Sequence, residues 1–263
     1  MGEHISPILF TTMFEKAIKD YINRQRNKQS LPDAARWDGF RCVLFDMDGV
    51  LYNSMPHHAV AWHESMQKFG LHFTAEDAYA TEGMRGIDTI RIYAKRQLGT
   101  DISEAEAQRM YDEKTRLFHL MPEAKIFEGV NDLMQMIKDA DMNICVVTGS
   151  GQRPLIQRLV HDFGDFIDEH HIVSAYNIQR GKPAPDPYLK GLEFAGGWQP
   201  WQGIVVENAP LGVRAGVAAG CFTIGVNSGP LPDSALADEG AHIVLPSINE
   251  LRQHWKDILS FRP

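Results

Sequence analysis

From residue 41 onward, short apolar runs alternate with longer stretches whose apolar positions recur at helical spacing. "CVLFD" (42–46), "ICVVT" (144–148), "GIVVE" (203–207) and "FTIGV" (222–226) are apolar throughout, as strands buried on both faces are. "VNDLMQMIKDA", "RPLIQRLVHDF", "DPYLKGLEFAG" and "PLGVRAGVAAG" lie between them and read as helices. "HIVL" and "INELRQHWKDIL" add a closing strand and helix. Strands alternating with helices predict an α/β fold, a parallel sheet with helices on both faces.

The spacing breaks once. The first two strands are separated by far more chain than one crossover helix needs. Residues 55–121 hold no convincing strand: "MPHHAVAWHESMQKFG", "TAEDAYATEG", "DTIRIYAKRQLG" and "SEAEAQRMYDEKTRLFHL" all read as helical. They predict an all-helical lobe over 55–121, inserted into a core formed by 37–54 and 122–263. Ahead of the core, residues 1–36 form an extension. In it Met13, Phe14, Ala17, Ile18, Tyr21 and Ile22 mark an amphipathic helix over 13–29, then a polar linker. The helix could pack on the core or bind a partner. Met13 competes with Met1 as the true start.

Composition narrows the class. Of 263 residues, 44% are hydrophobic and 23% charged, as in an ordinary globular chain. A net charge of −8 argues against nucleic acid as the partner, yet a local cation can still draw in a small anion. Cys42, Cys145 and Cys221 sit singly in apolar runs, which fits buried thiols in a reducing cytoplasm. No apolar run reaches the roughly 18 residues of a membrane span. "ISPILF" is too short for a signal peptide. "MGEHIS" matches the N-myristoylation pattern, but no second membrane signal follows it. A cytoplasmic monomer is expected.

In parallel α/β sheets, ligands bind beyond the carboxyl ends of the strands. Asp46, Thr148 and Glu207 sit at such ends. Asp46 could be a nucleophile or a metal ligand. Asp48, two residues on, points the same way in extended chain, and Gly49 permits a sharp turn. Lys182 lies between Gly181 and Pro183 in "GKPAPDPY", which lacks the flanks of a phosphate-binding Walker motif.

These residues resemble the haloacid dehalogenase superfamily. Its four signatures are matched in order by "DMDGV", "VVTGS", "GKPAPDPY" and "VVENAPLG". The resemblance covers about residues 41–250 and points to the β-phosphoglucomutase-like phosphatase branch. It implies a Rossmann-like core with a helical cap. It also implies that Asp46 attacks phosphorus to form an aspartyl-phosphate, while Asp48 protonates the leaving group and then activates water. Thr148, Gly149 and Lys182 would hold the phosphoryl oxygens. Mg²⁺ would bind through Asp46, Asp48 by its backbone carbonyl, and the Glu207–Asn208 region. Charge supports such a set. Two like charges about 4 Å apart cost roughly 4 kcal/mol at an effective dielectric of 20, and a divalent cation with Lys182 cancels that repulsion, Asp48 being taken as protonated.

The fit to the branch has departures. The fourth signature usually carries two acids, and here the second is Asn208, which predicts weaker magnesium binding. In sugar-phosphate mutases the cap loop carries a basic residue before its glycine and an arginine three after. In "TEGMRG" (81–86), Glu82 precedes Gly83 and Arg85 follows by two. That weakens a hexose-phosphate mutase reading. Glu82 is either a solvated acid or a group facing a small, highly charged substrate. His58 and Trp62 match positions the branch also fills with His and Trp, which suggests a hinge role for His58. A zinc site from His58 and His63 has poor helical spacing. Lys114 reads as a solvated helix lysine, with a cleft-facing role as the alternative. The expected function is a Mg²⁺-dependent phosphohydrolase of pyrophosphate or a small phosphate ester. The alternatives are a β-phosphoglucomutase-like phosphohexomutase and an inactive homologue that binds phosphate ligands or a protein.

Overall fold

The computed structural model describes residues 7–27 and 38–261. The "MGEHIS" pattern and most of the linker lie outside the described residues. The chain runs α1 (Pro7–Asn27), β1 (Cys42–Phe45), α2 (Met55–Lys68), α3 (Ala75–Ala80), α4 (Gly86–Leu98) and α5 (Glu104–His119). It continues through α6 (Val130–Asp139), β2 (Asn143–Val147), α7 (Arg153–Phe163), β3 (Ile172–Val173), α8 (Asp186–Phe194) and β4 (Gly203–Glu207). Then follow α9 (Pro210–Ala218), β5 (Phe222–Val226), α10 (Ser234–Ala237), β6 (Ile243–Leu245), α11 (Ile248–Gln253) and α12 (Trp255–Ser260).

The six strands form one parallel sheet in the order β3-β2-β1-β4-β5-β6. Phe45 pairs with Val146 on one side and Val206 on the other. The carboxyl ends of β1, β2 and β4 therefore lie level. Strand order reverses at β1, and this is where an open α/β sheet leaves a crevice.

Side-chain alternation splits the strand residues between two apolar layers. Val43, Phe45, Ile144, Val146, Ile204 and Val206 face α1, α6, α7, α11 and α12. Cys42, Leu44, Cys145, Val147 and Val205 face Tyr188 and Leu192 of α8 and Ala215 of α9. All three cysteines are free and buried. Gly212 and Gly216 let α9 lie close on the sheet: a Cβ on Gly216 would come 2.9 Å from Val205.

The N-terminal helix begins at Pro7, six residues before the expected Met13, and packs on the core. Phe14, Ile18, Tyr21 and Ile22 are buried in the first layer, and Tyr21 donates to the Gly220 carbonyl at 2.7 Å. Helices α2 to α5 enclose a separate apolar cluster that includes Trp62, Phe73, Ile90 and Met110. This helical cap emerges from the carboxyl end of β1, so its loops overhang the crevice. Pattern reading did not find β3, which is only two residues long, or α10, and it ran α11 and α12 together.

Candidate active site

Asp46 follows β1 directly and is 3% exposed. Its Oδ1 is ion-paired with Lys182 Nζ, while its Oδ2 is buried without a partner. Burial pushes its carboxyl up to about 7; Lys182 opposes this, and Glu207 and Asp48 add to it. Lys182 is equally buried. Its ammonium donates to Glu207 Oε1 at 2.6 Å and lies 5.1 Å from the Tyr188 ring centre. Burial acts against that charge, but Asp46 and Glu207 outweigh it and hold the ammonium above its ordinary value.

Glu207, expected among the metal ligands, is spent elsewhere. Its Oε1 accepts from Lys182 and from the Tyr188 hydroxyl at 2.8 Å. Its Oε2 accepts from the backbone N–H groups of Asn208 and Ala209 at 2.9 and 3.1 Å. It thus anchors Lys182. Asn208 offers the open oxygen instead: its Oδ1 is buried with no partner. The approach of Asn208 depends on Gly49. That residue has φ +82°, and a Cβ there would fall 2.0 Å from Asn208 Nδ2.

Asp48 turns toward the cap. Ser54 Oγ donates to Asp48 Oδ1 at 2.5 Å, and His58 Nε2 lies 3.2 Å from the same oxygen. Ser54 precedes α2 without capping it by a side-chain hydrogen bond, because its hydroxyl goes to Asp48. Burial pushes the Asp48 carboxyl up, yet His58 and then Ser54 draw it down further, leaving it below the usual carboxylate range. In this arrangement Asp48 is ionised at neutral pH, against the expectation that it is protonated. On its other side His58 Nδ1 meets Lys114 Nζ at 2.7 Å, and its ring stacks on Phe118 at 4.2 Å. Burial keeps His58 below its ordinary value. A neutral ring that accepts from Lys114 at Nδ1 carries its proton on Nε2, which is buried 3.2 Å from Asp48 Oδ1 without a hydrogen bond in this geometry. His63 contacts the Phe73 carbonyl at 2.8 Å instead, so the two histidines weighed for zinc serve different partners.

Lys114 corrects the expectation of a solvated helix lysine. It is 3% exposed, with its ammonium 5.2 Å from the Trp62 ring centre and 5.1 Å from that of Phe118. Burial draws it down to about 8. Its place on the helix explains this: Ala107, Met110, Lys114 and Leu117 form the buried stripe of α5. Glu82 is partly buried and lines a small cavity with Asp48, His58 and Lys114. Burial, then the charges of Asp48 and Asp46, push its carboxyl up to about 8.

Thr148 is 3% exposed, and Gly149 follows it. Both line a large cavity with Lys182 and the exposed Arg85. The cap loop closes over this site through Gly83: a Cβ there would fall 2.8 Å from Lys182 Cδ. The geometry thus brings Asp46, Asp48, Lys182, Glu207, Asn208, His58, Glu82 and Lys114 around one crevice. Arg85 lies at its edge. Sequence reasoning missed Ser54 and Tyr188. Only Ser54 had a usable signal, a hydroxyl shortly after Asp48 at the start of a helix.

Comparison with known proteins bears on the family and the fold. The model of the family Haloacid dehalogenase-like hydrolase matches residues 43–226. Hexitol phosphatase A of Escherichia coli K12 is 34% identical over 197 residues, 72% of this chain and 84% of that protein. β-Phosphoglucomutase of Bacillus subtilis 168 is 27% identical over 200 residues, again 72% of this chain and 84% of that one. A solved structure from Bacteroides vulgatus, provisionally named a β-phosphoglucomutase, superposes with a TM-score of 0.87 at 40% identity. It covers 95% of this chain and 98% of its own.

Proposed function

The chain belongs to the haloacid dehalogenase-like hydrolase family, and from that premise we propose that it is a Mg²⁺-dependent phosphohydrolase of a small phosphorylated compound, pyrophosphate or a small phosphate ester. The observation that carries this reading is the buried charge set Asp46–Lys182–Glu207, with Asp48 beside it, hydrogen-bonded to Ser54 and close to the His58–Lys114 pair. Separate environments for two neighbouring carboxylates suit separate roles.

The residues present fit a hard divalent cation. Asp46 Oδ2 and Asn208 Oδ1 are buried oxygens without partners, the donor type such ions take. Asp46, Asn208 and the Asp48 carbonyl would hold it. When bound, Mg²⁺ supplies positive charge against the phosphoryl oxygens.

The chain's own residues then divide the work. A carboxylate oxygen of Asp46 forms a bond to phosphorus as the bond to the leaving oxygen breaks. Lys182, fixed by Glu207, offsets the charge on the transferring group and favours the anionic form of Asp46. Asp48 must first take up a proton from solvent, which the negative charge of the arriving substrate favours, and it then passes that proton to the leaving oxygen. The same carboxylate then takes a proton from water. That water's oxygen attacks phosphorus and releases phosphate, freeing Asp46. Gly83, pressed against Lys182, helps keep bulk water out.

Asp48 borders two spaces, one of about 40 Å³ beside Glu82 and Lys114 and one of about 250 Å³ beside Tyr52 and Phe118. The names of relatives keep a mutase in view. A single panel decides between the readings. Pyrophosphate, a hexitol phosphate and β-glucose 1-phosphate are assayed with Mg²⁺, the last with and without a bisphosphate primer. Phosphate release from the small substrates, abolished in Asp46→Asn, is the expected result. Primer-dependent isomerisation without phosphate release would replace it with the mutase. A folded protein inert toward every member would leave only binding.

A further inference from the structure

The cap leaves and re-enters the core through two linkers, residues 48–54 and 120–127. The linkers run side by side. The Asn53 N–H donates to the Lys125 carbonyl at 2.8 Å, and the Phe127 N–H donates to the Leu51 carbonyl at 3.0 Å. Tyr52 and Ile126 form an antiparallel bridge between them. Whatever ties this pair to the core sets where the cap stands.

Apolar packing supplies part of the tie. Tyr52 is buried, and its ring centre lies 5.6 Å from that of Phe163 on α7. The returning linker is packed less fully: a cavity of about 250 Å³ opens beside Phe118 and Ala124, with Pro154 and Leu155 of α7 also on its wall. Arg158, one turn further along α7, borders the same cavity and reaches both linkers. Its Nη2 donates to the Ala124 carbonyl on the returning one. Its guanidinium carbon lies 4.4 Å from the centre of the Tyr52 ring on the outgoing one. Its Nε donates to Asp162 Oδ2 at 3.2 Å, and the Tyr52 hydroxyl donates to the same oxygen at 2.8 Å. A planar guanidinium can serve these partners together, whereas an ammonium is a single point of charge.

The clamp reaches the site through the backbone of Tyr52. Its N–H donates to the Met47 carbonyl at 3.2 Å, and its carbonyl accepts from the Gly49 N–H at 2.8 Å. Met47 and Gly49 flank Asp48. Two residues past Tyr52, Ser54 donates to Asp48 Oδ1. A shift of Tyr52 therefore moves both the loop that carries Asp48 and the hydroxyl that orients it. We propose that Arg158 is a positioning residue for the acid Asp48: it clamps both cap linkers to α7 and so fixes the Asp48 carboxyl against the leaving oxygen. This rests on the phosphohydrolase reading, in which Asp48 protonates the leaving group, and adds what holds that acid in place.

The test compares two small substrates in the presence of Mg²⁺. Glycerol 1-phosphate loses an alkoxide, which needs a proton as it leaves. Acetyl phosphate loses a carboxylate, which does not. The ratio of kcat/KM for the first to that for the second reads the acid's contribution and cancels differences in the fraction of folded enzyme. Arg158→Met keeps an apolar stem over the Tyr52 ring and removes the donors. It should lower the ratio about tenfold, a part of the ~10²–10⁴-fold that a positioned acid contributes. Arg158→Lys keeps the charge and should lower it less. Arg214→Met, which removes the exposed salt bridge between α9 and Glu239, should leave it within about twofold. Hydrogen exchange gives a readout apart from activity. In Arg158→Met the Asn53 and Phe127 amides should exchange about tenfold faster, with the amides of β1 within about threefold of the parent. If Arg158→Met does not fold, Tyr52→Phe takes its place, since it removes the hydroxyl bound to Asp162 and leaves the ring.

A fall in the ratio below about threefold would overturn the proposal, because the loss would then be equal on both substrates or absent. So would unchanged exchange at Asn53 and Phe127, or a wild type that accepts only one of the two substrates. In each of those cases phosphate is still released, so the phosphohydrolase reading stands. A wild type that releases phosphate from neither substrate overturns that reading and the proposal with it.

Discussion

Asn208 places a neutral amide oxygen where an aspartate would place a charge. Affinity for hard cations follows the charge of the ligand set, so Asn208→Asp should tighten magnesium binding about tenfold, or ~1.4 kcal/mol. Calorimetric titration with Mg²⁺ reads this directly, and an unchanged affinity would remove Asn208 from the cation's ligands. Glu82 gives a second test at the same scale. Its folded carboxyl sits at about 8, whereas an unfolded glutamate titrates near ~4.3. Between those values the folded state keeps a proton that the unfolded state has lost. Stability therefore falls as pH rises through that window. Glu82→Gln removes this contribution. Without added metal, the variant's melting temperature should drop less than the wild type's between pH 5 and pH 8. The catalytic candidates were legible because strand ends are fixed points of a parallel sheet, and Asp46, Thr148 and Glu207 sit at them. Tyr188 was not legible, since its hydroxyl reaches Glu207 from a separate element, α8.

Helix α5 shows what element-level reading recovers. Its existence and extent follow from the pattern, but Lys114 was read by residue type. Its position between Met110 and Leu117 already put it on the buried stripe. The same limit explains the short elements. Two-residue β3 carries no period, and a turn at His254 divides the last helix within one apolar pattern. Where an apolar face was long, as in α1, the pattern named the buried residues well, though not what would cover them. Lys114 also carries a prediction. A charge buried among Trp62, Tyr111 and Phe118 opposes folding, as its downward shift to about 8 indicates. Yet removing one member of a buried charged set leaves its partners, here His58 and Asp48, uncompensated, which destabilises. Lys114→Met should therefore lower stability at pH 7 by ~3 kcal/mol, read by denaturant unfolding. It should also lower kcat, because His58 loses the donor that fixes its ring toward Asp48. A variant as stable as the parent and fully active would contradict this account of the relay.

At the scale of the molecule, two apolar clusters built separately must meet with their charges aligned. The core presents Asp46, Lys182 and Asn208 at the sheet edge; the cap brings Glu82 and Lys114. The contact that sets their separation is narrow: Gly83, at φ +83°, lies against the Lys182 side chain. Gly83→Ala would put a methyl 2.8 Å from Lys182 Cδ and strain a backbone that L-residues avoid. The loop belongs to neither apolar cluster, so most of the strain can be relieved by the cap standing off the core. Melting should then shift by only a few degrees. Catalysis depends on placement within about an ångström, and losing it costs ~10²-fold. The variant should therefore lose between ten- and a hundredfold in kcat/KM for its best substrate, with Mg²⁺ binding at Asp46 and Asn208 unchanged by calorimetry. If melting collapses together with activity, the cap loop is part of the folding core rather than a closing contact.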